Sequence, residues 1–262
     1  MNVIAIANQK GGVGKTTTSV NLSACLAEAG HRVLLIDMDP QANATSGLGL
    51  DLGDEEVSVS LYHPLLGEGD AMGLIRPTRF ENLSIIPSEM DLAGSEIELA
   101  RSGSHLTRLQ EILEPVRECG RFEYCFLDCP PSLGVLMTAS LAASDEILIP
   151  LQCEWFGLEG LAKIMHVVEQ IRESGVNQRT GVEGILMTMY DGRTNLGKQV
   201  HEEVKNHFPS QVYETIIPRS IRLGEAPSFG RSIIEHDPHG TGSTAYRQLA
   251  DEFIRRHGGN GG

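Results

Sequence analysis

The chain has 262 residues, 40% of them hydrophobic and 21% charged, with a formal net charge of −14. This is the composition of an ordinary globular protein, and its acidic excess excludes a uniformly basic nucleic-acid binder while leaving room for a local cationic patch. No apolar stretch approaches a membrane span, the start shows no signal-peptide pattern, and five cysteines without CxxC spacing fit free thiols in a reducing cytoplasm. The length suits one large α/β domain, expected over residues 1–256, with 257–262 as a flexible glycine-rich tail.

In chain order, residues 3–7 form an apolar run of strand length and β-branched content. Lys10-Gly11-Gly12-Val13-Gly14-Lys15-Thr16-Thr17 follows, then a helical pattern with Val20, Leu22, Leu26 and Ala27. Strand, glycine-rich loop and helix together make a phosphate loop. The glycines let backbone amides curl around an anion, and the helix adds its unpaired N–H groups. Lys15 would reach the β- and γ-phosphates, and the Thr16 hydroxyl would ligate Mg²⁺. The usual leading glycine is replaced by Gln9, and Lys10 stands as an extra cation.

Residues 32–37 read as a second strand, continuous in apolar character as a parallel strand covered on both faces should be. It ends in Asp37-Met38-Asp39-Pro40, at the edge of a parallel sheet where ligands bind. Asp39 is chosen to orient an attacking water; Asp37 stands behind the Mg²⁺ ligands or fixes the loop. Turns and short helices are expected over 44–79, including the acidic stretch 51–56, and a strand over 82–87. A weak helical pattern covers 92–99. Leu106, Leu109, Ile112, Leu113 and Val116 make a helical stripe that reads as core.

Residues 122–128 form an apolar strand ending in Asp128, the Walker B arrangement whose carboxylate binds Mg²⁺ directly or through water. Cys125 and Cys129 lie four apart there and read as buried thiols. Further strands are expected over 144–150 and 184–189, and helices over 158–171, 196–208 and 243–256. The only tryptophan, Trp155, and Phe156 sit between the first strand and helix of that set.

The loop from Lys10 to Thr17 is similar to the deviant Walker A loop, in which the extra lysine crosses a dimer interface to the partner's nucleotide. Nearly end to end, the chain resembles the ParA/Soj-type partition ATPases. The resemblance includes Asp37-Met38-Asp39-Pro40-Gln41, Leu127-Asp128-Cys129-Pro130-Pro131-Ser132, Thr188-Met189-Tyr190-Asp191-Gly192-Arg193, and Pro218-Arg219 through Glu225-Ala226-Pro227. It implies a mostly parallel, twisted sheet flanked by helices on both faces, and ATP with Mg²⁺ as cofactors. It further implies an ATP-dependent sandwich homodimer, non-specific binding to double-stranded DNA, and slow hydrolysis stimulated by a ParB/Spo0J-type partner. Such a protein is cytoplasmic and nucleoid-associated. The phosphate-loop residues Gly11, Gly12, Val13, Gly14, Lys15, Thr16 and Thr17 would hold the nucleotide, with Pro218 and Arg219 near the adenine. Arg193 and Arg222 correspond by position to the family's DNA-contacting arginines. A MinD-like relative acting on a membrane or protein scaffold is the alternative, disfavoured by the lack of an apolar face after Phe253 and Ile254. An iron-sulfur reductase and a nucleotide-gated scaffold without turnover are more distant rivals.

Overall fold

The computed structural model describes residues 1–50, 59–154 and 157–258. The acidic stretch at 51–56, Trp155, Phe156 and the last four glycine-rich positions lie outside the described residues.

Seven strands form a single sheet: β1 (Asn2–Ile6), β2 (Val33–Asp37), β3 (Arg76–Pro77), β4 (Leu83–Ile86), β5 (Tyr124–Asp128), β6 (Glu146–Gln152) and β7 (Gly181–Thr188). Their spatial order is β3-β4-β2-β5-β1-β6-β7, and every pairing is parallel except that of β3 with β4. β2 is buried along its whole length, and β1 and β5 are buried after their first residue. Central parallel strands are covered on both faces, so continuous hydrophobicity rather than alternation marked them.

Helices α1 (Lys15–Glu28), α2 (Asn43–Gly47), α3 (Tyr62–Leu66), α4 (Leu92–Ser102), α5 (Arg108–Glu118), α6 (Val135–Ala143), α7 (Gly157–Glu173), α8 (Asn195–His207), α9 (Ile221–Glu225), α10 (Ile233–His236) and α11 (Thr241–Gly258) surround the sheet. Successive strand residues serve opposite faces. Val3 and Ala5 pack with α4, α5, α6 and α7, whereas Ile4 and Ile6 pack with α1 and α11. The stripe of Leu109, Ile112, Leu113 and Val116 is core, as its periodicity implied.

Sequence reading missed the short helices α9 and α10, the first of which lies where a loop was expected, and it also missed α6 and β3. α6 is apolar nearly all round and buried over most of its length, so it carries no amphipathic period to detect. β3 is two residues long and exists through its antiparallel pairing with β4. His257 and Gly258, assigned to a tail by composition, instead finish α11: the His257 ring stacks on Phe253 with centroids 4.0 Å apart, and its Nε2 lies 2.8 Å from Glu146 Oε2. Cys125 and Cys129 are buried free thiols, and burial pushes each up to about 12.

At Gly184, on β7, an added Cβ would press into the ring of Tyr213, which is itself buried. Gly184→Ala is therefore expected to destabilise the fold by about 1–3 kcal/mol, the usual effect of overpacking. Urea unfolding measures it; an unchanged midpoint would mean that Tyr213 yields freely.

Candidate functional site

The carboxyl edges of β1, β2, β5 and β7 meet at a cavity of about 730 Å³. The loop between β1 and α1 forms its floor, with Gly12 at φ 74° and Gly14 at φ 89°, left-handed values that favour glycine. Gly14 caps α1 with no side-chain hydrogen bond, and the first turn carries no acidic residue. The opening amides of α1 are thus free for an anion and its dipole is unopposed. Two side chains hold the loop at its flanks. Asn8 Nδ2 donates to Pro150 O at 2.8 Å while its Oδ1 accepts from Lys10 N at 3.0 Å; Thr188 Oγ1 donates to Val13 O at 2.8 Å.

Lys15 lies 6% exposed on the cavity wall, and its Nζ donates to Lys10 O at 3.2 Å. Burial pulls its ammonium below the ordinary range, against the opposing pull of Asp128 and Asp39. A buried cation without a close carboxylate partner is suited to a polyanion, which would reverse that shift. Lys10 points elsewhere: its Nζ pairs with Glu154 Oε2, just past β6.

Asp37 and Asp128 are in register on neighbouring strands, and both are almost wholly buried. Asp37 is saturated. Its Oδ2 accepts from Thr45 N at 2.8 Å and from Thr45 Oγ1 at 2.7 Å, and its Oδ1 accepts from Asp39 N at 3.1 Å. Asp128 Oδ1 accepts from Ser19 Oγ at 2.7 Å, while Oδ2 has no partner. Burial, reinforced by the Asp37 carboxylate, pushes the Asp128 carboxyl well above its usual range, against the hydroxyls of Ser19 and Thr16. Burial raises Asp37 too, opposed by its three hydrogen bonds. The geometry separates the two: Asp37 fixes the loop from Asp39 to Thr45, and Asp128 alone keeps a buried oxygen to give a cation.

Asp39 lines the cavity and accepts the Gln41 amide on Oδ1 at 3.0 Å. The apolar part of the lining comprises Val20, Met189, Ile217, Pro218, Leu223 and Tyr246. Backbone bonds clamp the segment carrying Pro218 to the end of β7: Ile217 N to Met187 O at 2.9 Å and Tyr190 N to Ile217 O at 3.1 Å. Ala42 and Met189 are the non-glycine residues with left-handed φ, 52° and 47°, among the described residues. Both adjoin the cavity, where backbone strain commonly accompanies function.

A family model described as an AAA domain matches residues 1–182. The sporulation initiation inhibitor protein Soj of Bacillus subtilis is 51% identical over 250 residues, covering 95% of this chain and 97% of its own. The chromosome partitioning protein ParA of Caulobacter vibrioides is 46% identical over 256 residues, covering 98% of this chain and 95% of its own. The chain belongs to the Soj/ParA family. Among solved structures, cobyrinic acid a,c-diamide synthase from Mycobacterium smegmatis, with bound ATP analogue and magnesium, superposes with a TM-score of 0.83 at 34% identity over 100% of this chain and 97% of that one.

In this Soj/ParA chain the residues singled out by sequence are distributed unevenly. Gly11, Gly12, Gly14, Lys15, Thr16, Thr17, Asp39, Pro218 and Arg219 line the cavity. Val13 is buried beneath it, and Asp128 lies fully buried behind Lys15 and Thr16. Arg193 and Arg222 stand outside, with side chains 90% and 63% exposed. Sequence reasoning missed Asn8, Ser19, Thr45, Glu154, Thr188 and Tyr246. Asn8, Ser19, Thr188 and Tyr246 are ordinary residues whose partners lie far along the chain, and Thr45 is one whose partner, Asp37, is near but unmarked by any pattern. Glu154, next to Trp155, had charge opposite to Lys10 as its only signal.

Proposed function

We propose that this chain is an Mg²⁺-dependent ATPase that dimerises on ATP, binds double-stranded DNA without sequence preference, and drives chromosome or plasmid segregation with a ParB/Spo0J-type partner. The observation that carries this is the free cradle of α1 amides beside Lys15, with the unpartnered Asp128 oxygen behind it. Among the described residues, no group of three or more His, Cys, Asp or Glu is arranged to hold a metal ion. Mg²⁺ suits this poverty of ligands: it keeps several waters and takes one or two protein groups plus substrate phosphates. Thr16 and Asp128 would hold it, and it would neutralise charge on the transferring phosphoryl group.

Within each chain, Lys15 neutralises phosphate charge, Asp39 orients the water, and Asp37 keeps Asp39 in place. Lys10 is the cation offered to a partner's nucleotide. The ion pair with Glu154 occupies it in a single chain, so reaching across requires giving up one carboxylate for phosphate oxygens. Pro218 and Arg219 line the cavity and would hold the base.

Arg193 pairs with Asp191, lying 2.7 Å from its Oδ2 and holding that carboxyl down to about 2, and Arg222 pairs with Glu225 at 3.0 Å. Exposed pairs of this kind contribute little, so DNA phosphates displace them cheaply. An acidic monomer gains little from a few arginines, and a dimer doubles them, which couples ATP to DNA. This favours a cytoplasmic, nucleoid-associated protein. The MinD-like alternative has less support, because the apolar face of α11, including Phe253, is already packed on the core and is not offered to a membrane surface.

The test is binding to random-sequence duplex DNA with a slowly hydrolysed ATP analogue, with ADP, and with no nucleotide, across a salt series. Tight binding is expected with the ATP analogue alone. Arg222→Ala, present in both chains of a dimer, should flatten the log–log salt slope by about 2. Absence of DNA binding in every nucleotide state would overturn the partition reading and leave the phosphate-loop chemistry standing.

A further inference from the structure

Asp128 presents two buried oxygens in unlike states. Oδ1 takes the Ser19 hydroxyl at 2.7 Å, and Oδ2 takes nothing. Ser19 is fully buried one helical turn after Lys15, and Lys15 O lies 3.0 Å from the same hydroxyl. A serine inside a helix ordinarily returns its proton to the carbonyl four residues back. Here a carboxylate, the stronger acceptor, lies closer. The hydroxyl has one proton for two acceptors, and charge and distance both favour Asp128.

The neighbouring carboxylate shows why this bond matters. Asp37 receives three hydrogen bonds within its own loop, which fix it without outside help. Asp128 ends a strand, and the hydrogen bond to its Oδ1 comes from Ser19, on a different element. Without that bond the carboxylate could turn about its last torsion, a soft one in aspartate. We propose that Ser19 is a positioning residue for the metal. By holding Oδ1, it turns Oδ2 toward the Mg²⁺ position beside Thr16. The inference rests on the Mg²⁺-nucleotide reading above and adds to it a residue outside the phosphate-loop and Walker B motifs. Outer groups that orient a metal ligand commonly change metal affinity 10–100-fold when removed.

Ser23 supplies the control. It lies one turn further along α1, is fully buried, and its hydroxyl has no partner. Ser23→Ala therefore removes a buried hydroxyl from the same helix without touching Asp128. The measurement is binding of a fluorescent ADP analogue to the full chain, first in EDTA and then over a Mg²⁺ titration. Using ADP keeps dimerisation out of the readout. Wild type and Ser23→Ala are expected to share one Mg²⁺ midpoint. Ser19→Ala should need about 10–100-fold more Mg²⁺, with its affinity in EDTA unchanged. Ser19→Cys is slightly larger and offers a weak donor, and should fall between them; it also serves if the alanine variant folds poorly.

A Ser19→Ala midpoint equal to wild type would overturn the inference while the nucleotide reading stood. An equal loss of affinity in EDTA and in Mg²⁺ would also overturn it, since that marks a merely structural tie between α1 and β5. Wild-type binding that ignored Mg²⁺ would overturn both readings together.

Discussion

Lys15→Ala is expected to lose nucleotide binding by at least about 100-fold, equivalent to roughly 2.7 kcal/mol. The side chain lines the cavity, as Asp39 does, and Asp128 is fully buried and close enough to act on it electrostatically. Those two anions raise the lysine's affinity for its proton even as burial lowers it. Without the ammonium the site presents two carboxylates to an incoming polyphosphate, and attraction becomes repulsion. The free amides of α1 remain, and they are too few to offset this alone. Isothermal titration with ADP and with an ATP analogue measures the loss. ATP-dependent dimers formed normally by the variant would remove Lys15 from the role given to it.

Asp39→Ala is expected to leave nucleotide binding nearly intact and to slow turnover by about 10²–10⁴-fold, the range for losing a positioned proton acceptor. The backbone around Asp39 is held independently, by Asp37 through the Asp39 amide and through Thr45. The variant gives up the Gln41 amide bond and keeps these other anchors, so the loop should hold its shape and the main loss is one carboxylate. If ATP drives dimerisation and DNA binding, blocked hydrolysis should trap the dimer on DNA. Single-turnover phosphate release and the dissociation rate from DNA measure the two consequences. Undiminished phosphate release would show that another group orients the water.

Much of this site is legible in the order of residues alone. Lys10 to Thr17 carries its chemistry in contiguous residues, because a phosphate loop is built from local backbone turns and one helix start. Asp37 and Asp128 are visible for a related reason: each ends a continuous apolar run, and parallel strands deliver their final residues to one edge. The ambiguity over Asp37 is real in the sequence. A carboxylate at a strand end can face a metal or its own loop, and only the three donors from Thr45 and Asp39 decide between them.

The missed elements share a cause as well. α6 has no amphipathic period because the core covers it on nearly every side, and β3 is defined by its neighbour rather than by its own residues. His257 resembles the start of a glycine tail until Glu146 and Phe253 engage its ring.

By itself, then, the sequence determined the class of fold, the phosphate loop and the two strand-end carboxylates, since each is written in short-range pattern. The tertiary structure decided which carboxylate keeps a free oxygen, that Lys10 is paired with Glu154, and that Ser19 donates to Asp128. Lys10 with Glu154 and Ser19 with Asp128 are contacts between residues more than a hundred positions apart, and no local pattern encodes the partner of a buried hydroxyl or an ammonium.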